Sequence, residues 1–169
     1  MKKIIPILLF ISFYSIACES SYISYFKEFT ESFSRSTISV SQYSRLSSYK
    51  VNPELFIDFG KSPPDSFGEN DTINSNLIFN GETSKKYFII FVNNILLKGG
   101  VLNENAKKVF NDKSGDYSFE AKIKNNKLVI FENMLISAPD DMAAELSCTY
   151  TFGSVNDRKL MLNDVFCAG

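Results

Sequence analysis

Two hydrophobic periods run along this chain. Near the start, Tyr22, Phe26, Phe29 and Phe33 recur at intervals of four, three and four, which sets four rings on one side of a helix. Lys27, Glu28, Glu31 and Ser32 fall elsewhere on that helix. Amphipathic stripes usually pack on their own domain, and the sharper alternative is a face turned to the membrane or to a partner protein. In the second half the period is two. In "YSFEAKI", Tyr117, Phe119, Ala121 and Ile123 share one side, with Ser118, Glu120 and Lys122 on the other. "KNN" turns the chain and "KLVIFE" returns it. In "ELSCTYTF", Leu146, Cys148, Tyr150 and Phe152 again align, and "RKLMLNDVF" supplies a last strand after a turn at "GSVND".

Between these regions the pattern is mixed. "KYFIIFV" and "ILLK" read as a hairpin across Asn93 and Asn94, ended by Gly99 and Gly100. "VLNENAKKVFNDKSG" is expected to hold one or two helical turns between Leu102 and Phe110. "STISVSQYSRLSS" reads as a loop or an irregular edge strand. "ELFIDF" is a short strand candidate, and Gly60, Pro63, Pro64 and Gly68 make much of 51–82 a long surface loop. At least six strand candidates with short turns predict a mainly β, antiparallel single domain, barrel-like or sandwich, with a short N-terminal helix. The organisation expected is a leader at 1–17, a Ser- and aromatic-rich segment at 18–50 and a β-rich domain at 51–169.

The leader follows from the first residues. Lys2 and Lys3 precede an uncharged, apolar run of fourteen, Ile4 to Ala17. A membrane-spanning helix needs roughly 20 such residues, so the run reads as a secretory signal peptide. "SIAC", with Cys18 after the small Ala17, resembles the lipobox of bacterial lipoproteins, although Ser15 stands where Leu is usual. The resemblance implies cleavage before Cys18, acylation of Cys18 (palmitate being the clickable label for it) and anchoring in the bacterial cell envelope, facing the periplasm or the exterior. Two or more acyl chains hold a protein on a bilayer stably. Glu19 rather than Asp after the cysteine leans toward the outer membrane where one exists. The alternatives are an ordinary signal peptide cut near Ala17 and an uncleaved anchor. Farther along, Asp116, Phe119, Asn126, Lys127, Leu128 and Ile130, followed by "YTF" and Lys159, Leu160 and Leu162, resemble small barrel-like domains of bacterial envelope lipoproteins.

Cysteine usage fits the leader. Three cysteines are odd for an exported chain, and acylation of Cys18 leaves Cys148 and Cys167 as a pair. A bridge across their 19 positions contributes roughly 3 kcal/mol in the chain-entropy picture and pins the chain end to the sheet. Two buried free thiols are the alternative.

Composition narrows function by exclusion. The chain contains no histidine, which removes the commonest general base and transition-metal ligand at neutral pH. Removing residues 1–17 takes two of 18 basic residues and none of 19 acidic ones, leaving a net charge of −3 with no basic block, so no nucleic-acid partner is expected. No phosphate loop, zinc motif or nucleophile elbow is present, and Asp140 with Asp141 reads as a turn or helix start rather than a calcium loop. No cofactor, metal or catalytic residue is assigned. The function expected is a non-catalytic envelope lipoprotein that binds or inhibits an envelope or secreted protein. A carrier of a small apolar ligand in a barrel lined by some of the 16 Phe residues is the second reading, and a carboxylate-dependent envelope hydrolase the third.

Overall fold

The computed structural model describes residues 8–50, 71–137, 143–155 and 159–169, with side chains from Ser21 onward except those of Leu77, Ser137, Ala143, Ser154, Val155 and Lys159. Lys2, Lys3, "ELFIDF", most of the 51–82 loop and the Asp140–Asp141 turn lie outside those residues.

Helix α1 (Leu8–Ser34) is 27 residues long, far longer than the short N-terminal helix expected. Its stripe of Tyr22, Tyr25, Phe26, Phe29 and Phe33 is buried. Strand β1 (Thr37–Ser39) leads directly into α2 (Val40–Leu46), where a loop or an edge strand was expected. Serine at position 39 explains the switch: its Oγ accepts a hydrogen bond from the Gln42 amide at 3.2 Å and caps the helix. Tyr25 then donates to the Leu46 carbonyl at 2.6 Å, which ties the end of α2 to α1. Strand β2 (Thr72–Asn74) pairs antiparallel with β1, setting Ile38 opposite Ile73, both buried.

The expected "KYFIIFV" hairpin is instead helix α3 (Glu82–Phe91), continued by a π turn over Val92–Leu96. Its buried positions, Ser84, Lys85, Tyr87, Phe88, Phe91, Val92 and Leu96, follow helical spacing, while Ile89 and Ile90 are only half-buried. A short apolar run does not distinguish a strand from a buried helix by period alone. Gly99 and Gly100, at φ of 70° and 76°, end the segment.

Five strands follow in a meander: β3 (Lys107–Asp112), β4 (Gly115–Lys124), β5 (Lys127–Ser137), β6 (Ala143–Val155) and β7 (Lys159–Ala168). All neighbours are antiparallel. The β4–β5 hairpin closes through Asn125 and Asn126 at φ of 50° and 59°, the backbone that a two-residue turn between twisted strands requires. The stretch from Leu102 to Phe110 holds no helical turn and ends in β3, and β6 runs through Gly153 to Val155 where a turn was expected. A bulge at Thr151/Phe152 makes Asn163 the extra residue of β7 and keeps Leu162 opposite Phe152.

The domain is therefore antiparallel and β-rich as expected, but mixed rather than mainly β, with three helices beside sheets of two and five strands. Helices α1 and α3 lie on the sheet face that carries Tyr117, Phe119, Tyr150 and Phe152. Ring centroids are 4.9 Å apart for Phe26–Phe152 and for Phe88–Tyr150, and 5.5 Å for Phe91–Phe119. Among the described residues no pairing joins β3 to β7, so they form the two edges of the large sheet.

Candidate functional site

Three regions carry chemistry, two on the helix-covered side of the sheet and one on the opposite side. The first is a row across the covered face. Register places Lys108, Phe119, Glu132, Cys148 and Cys167 side by side on β3 to β7. Cys148 and Cys167 form a disulfide, with Cα atoms 4.1 Å apart. That spacing suits the closer of the two antiparallel pair types. The chain end meets Cys148 as the neighbouring strand, β7. Cys148 is buried, whereas Cys167 is exposed.

Glu132, next in the row, is fully buried. Tyr150 donates to its Oε2 at 2.7 Å, while Oε1 has no hydrogen-bonded partner. Ser84 on α3 faces the same carboxyl, although its Oγ is also without a bond of good geometry. Burial raises the pKa of Glu132, and the nearby Ser84 and Tyr150 hydroxyls lower it in part. In the sequence "KLVIFE" reads only as the returning strand, and nothing in it marks Glu132 as buried.

The second region is a surface cleft of about 460 Å³ between the end of α1 and the start of α3, lined by Ser34, Glu82, Thr83, Lys85, Lys86, Ile89 and Ile90. Its deepest cation is already engaged. Lys85 Nζ donates to Ser75 Oγ at 2.9 Å and to the Arg35 carbonyl at 3.3 Å. Ser75 Oγ in turn donates to the Arg35 carbonyl. The cluster staples three segments together.

The third region is the opposite face of the sheet, which α1 and α3 leave uncovered. Lys107, Glu120, Phe131, Thr149 and Phe166 form one row there across all five strands. Phe166 is 64% exposed, and Val109 and Leu135 are exposed on the same side at 45% and 47%. Lys124 lies over the Phe131 ring at 5.1 Å, and Lys122 pairs with Glu120 at 2.7 Å.

Of the residues singled out from sequence, Cys148 and Cys167 are joined in the expected disulfide, and the four rings of α1 pack in one core cluster. Tyr22, Phe26, Phe29 and Phe33 are core, not an exposed partner face; Phe29, for instance, packs 4.4 Å from Phe33 and 5.6 Å from Phe152. The sheet needs a cover for its apolar side, and this stripe supplies it. Cys18 lies on α1, in the part whose side chains are not described. Among the described residues no group of His, Cys, Asp or Glu has the clustering to hold a metal, and no helix is long and apolar enough to cross a membrane. Comparisons with protein-family models, with curated proteins and with solved structures find no match.

Proposed function

We propose that this chain is a lipid-anchored protein of the bacterial cell envelope whose uncovered sheet face docks a partner protein. The observation that carries the reading is that, among the described residues, helices cover the sheet on one side only. Helices bury one face, and the other presents Phe166, Leu135 and Val109 beside half-buried Phe131. Aromatic rings framed by Lys107, Lys122, Glu120 and Asp164 fit an apolar patch with a charged rim, which suits a protein partner. The partner surface is thus moved from the α1 stripe to the sheet. Anchoring through Cys18 is compatible with it, since the described core of α1 begins at Tyr22 and cleavage before Cys18 leaves all of that core in place. Export also suits the disulfide.

The other readings draw less support. A carrier needs an interior space, and among the described residues the region between helices and sheet is ring against ring, as with Phe88 at 5.1 Å from Phe79. A barrel-like or sandwich closure stays an expectation of the resemblance over 116–162. A hydrolase needs two facing acids, and buried Glu132 faces a tyrosine and a serine.

A photo-crosslinking residue placed at Thr149, in the middle of the exposed row, tests the docking face in intact cells. The expected result is one dominant protein adduct that disappears in a Phe166→Glu, Leu135→Glu background. Crosslinking no stronger than from Lys27 on the exposed side of α1 would overturn the docking reading. Clickable palmitate tests the anchor separately: label on the wild type and none on Cys18→Ala is expected, and an unlabelled, soluble wild type would remove the lipoprotein reading.

A further inference from the structure

We propose that the Cys148–Cys167 bridge is a thiol-exchange site, at which an external thiolate attacks Cys167 and Glu132 supplies the proton taken up by the departing Cys148.

The geometry separates the two sulfurs. Cys167 sits on the edge strand and is exposed, so an incoming thiolate reaches it, while Cys148 is 1% exposed. Which sulfur is attacked decides which one leaves, and exchange is faster when the leaving thiolate is stabilised or protonated. A thiolate released at Cys148 would be a bare charge in an apolar core, a costly product. Its cross-strand neighbour on the same face is Glu132. Side chains directly opposite one another on adjacent strands have Cβ atoms about 4.5–5.5 Å apart, within the reach of a carboxyl.

The carboxyl is furnished for that task. It is fully buried, its Oε2 is held by Tyr150 at 2.7 Å, and its Oε1 is unpartnered. The groups facing it are Phe119 from β4, Cys148 and Tyr150 from β6 and Ser84 from α3. None of these carries a charge at neutral pH, and Tyr150 is the one other titratable side chain among them besides the cysteine. A carboxyl in such surroundings keeps its proton to higher pH than usual, as burial dictates.

A thiolate RS⁻ forms a bond to Cys167 Sγ, and the Cys148–Cys167 bond breaks with its electron pair on Cys148 Sγ. That sulfur takes the Glu132 proton, giving RS–S–Cys167, a Cys148 thiol and a Glu132 carboxylate. A second thiol equivalent releases RS–SR and the Cys167 thiol, and the carboxylate regains a proton from water once the freed end of β7 opens. The reductant class is a thiol, small or protein-borne. The proposal stands independently of the lipid anchor and of the docking face.

Glutathione is the probe. Folded wild-type protein is exposed to it briefly, quenched in acid, alkylated and mapped by mass spectrometry. The first adduct is expected on Cys167, with Cys148 alkylated. An adduct mainly on Cys148, or no reaction until urea unfolds the chain, would overturn the proposal. The rate per unit of glutathione thiolate is then followed from acidic to alkaline pH, as far as the protein stays folded. In the wild type it is expected to fall with rising pH as the carboxyl ionises. In Glu132→Gln it is expected to be flat and roughly tenfold lower or more at the acidic end. Superimposable profiles for folded wild type and Glu132→Gln would leave Glu132 a purely structural residue. Should that variant fail to fold, the adduct map and the wild-type pH profile still decide.

Discussion

Tyr150 and Glu132 are joined by a 2.7 Å hydrogen bond between adjacent strands, under α3 and away from solvent. Replacing Tyr150 by Phe removes the one geometric partner of the carboxyl. Leaving a buried acceptor unsatisfied costs about 1–3 kcal/mol. Urea unfolding of Tyr150→Phe should show a loss in that range, and a change below experimental error would mean that the ring alone matters.

The same acid predicts how stability varies with pH. Its pKa is raised in the folded chain, chiefly by burial, so the folded state keeps the proton after the unfolded state has lost it. The stability it contributes is full below the ordinary value of 4.5 and is lost as pH rises through the folded value. Asp112 acts with the opposite sign. Hydrogen bonds, first from the Ser114 side chain and then from Tyr87, lower it to about 2, so its contribution disappears as pH falls toward that value. Wild type minus Glu132→Gln should isolate the first slope, and an increase of that difference with pH would contradict it.

Phe29 separates a core role from a binding role. Its ring contacts those of Phe26, Phe33, Phe88 and Phe152. Phe29→Ala should cost about 3–5 kcal/mol in equilibrium unfolding. Lys27→Ala, on the exposed side of the same helix, should stay within about 0.5 kcal/mol. Equal, small effects of both would return the aromatic stripe to the surface.

Gly115 opens β4 at φ of 141°, and a Cβ there would run into the Leu135 carbonyl oxygen on β5. Backbone strain of this kind costs about 1–3 kcal/mol before the clash is counted. Gly115→Ala should therefore lower the thermal midpoint, whereas Lys113→Ala in the neighbouring turn should not. A neutral Gly115→Ala would show that β4 can shift away from β5.

Removing both sulfurs (Cys148→Ala with Cys167→Ala) should lower stability by about 3 kcal/mol on the loop-closure argument. Chemical denaturation under non-reducing conditions measures it. A doubly substituted chain as stable as the parent would reduce the bridge to its exchange chemistry.

The parts of the fold readable from sequence are those in which neighbouring strands do not alter the local signal. "YSFEAKI" and "KLVIFE" alternate cleanly, and the two asparagines between them favour positive φ, so the β4–β5 hairpin is written locally. The aromatic spacing from Tyr22 to Phe33 likewise specifies a helix. "KYFIIFV" carries no such instruction. Its β-branched and aromatic residues favour a strand, and only the need to cover Phe119, Tyr150 and Phe152 makes it α3. Strand β3 was hidden for the converse reason: Lys107, Lys108 and Asn111 face water at an edge, leaving Phe110 as the half-buried ring that betrays it, stacked 4.8 Å from Tyr87. The candidate site was less legible still. Cysteine parity pointed to the bridge, but the side-by-side placement of Glu132 and Cys148 exists only through strand register.

The continuity of α1 sets how far the domain can stand from whatever holds its start. Cys18 and Tyr22 lie on one unbroken helix, four residues apart, which is about 6 Å of rise. Acyl chains at Cys18 would therefore give no slack: the helix becomes a stiff post one turn high, and the domain rides at the level of the lipid headgroups with a restricted tilt. A partner would have to come to the bilayer to meet it. Inserting a flexible Gly/Ser spacer between Glu19 and Tyr22 would convert that post into a leash and widen the zone in which the sheet face can engage.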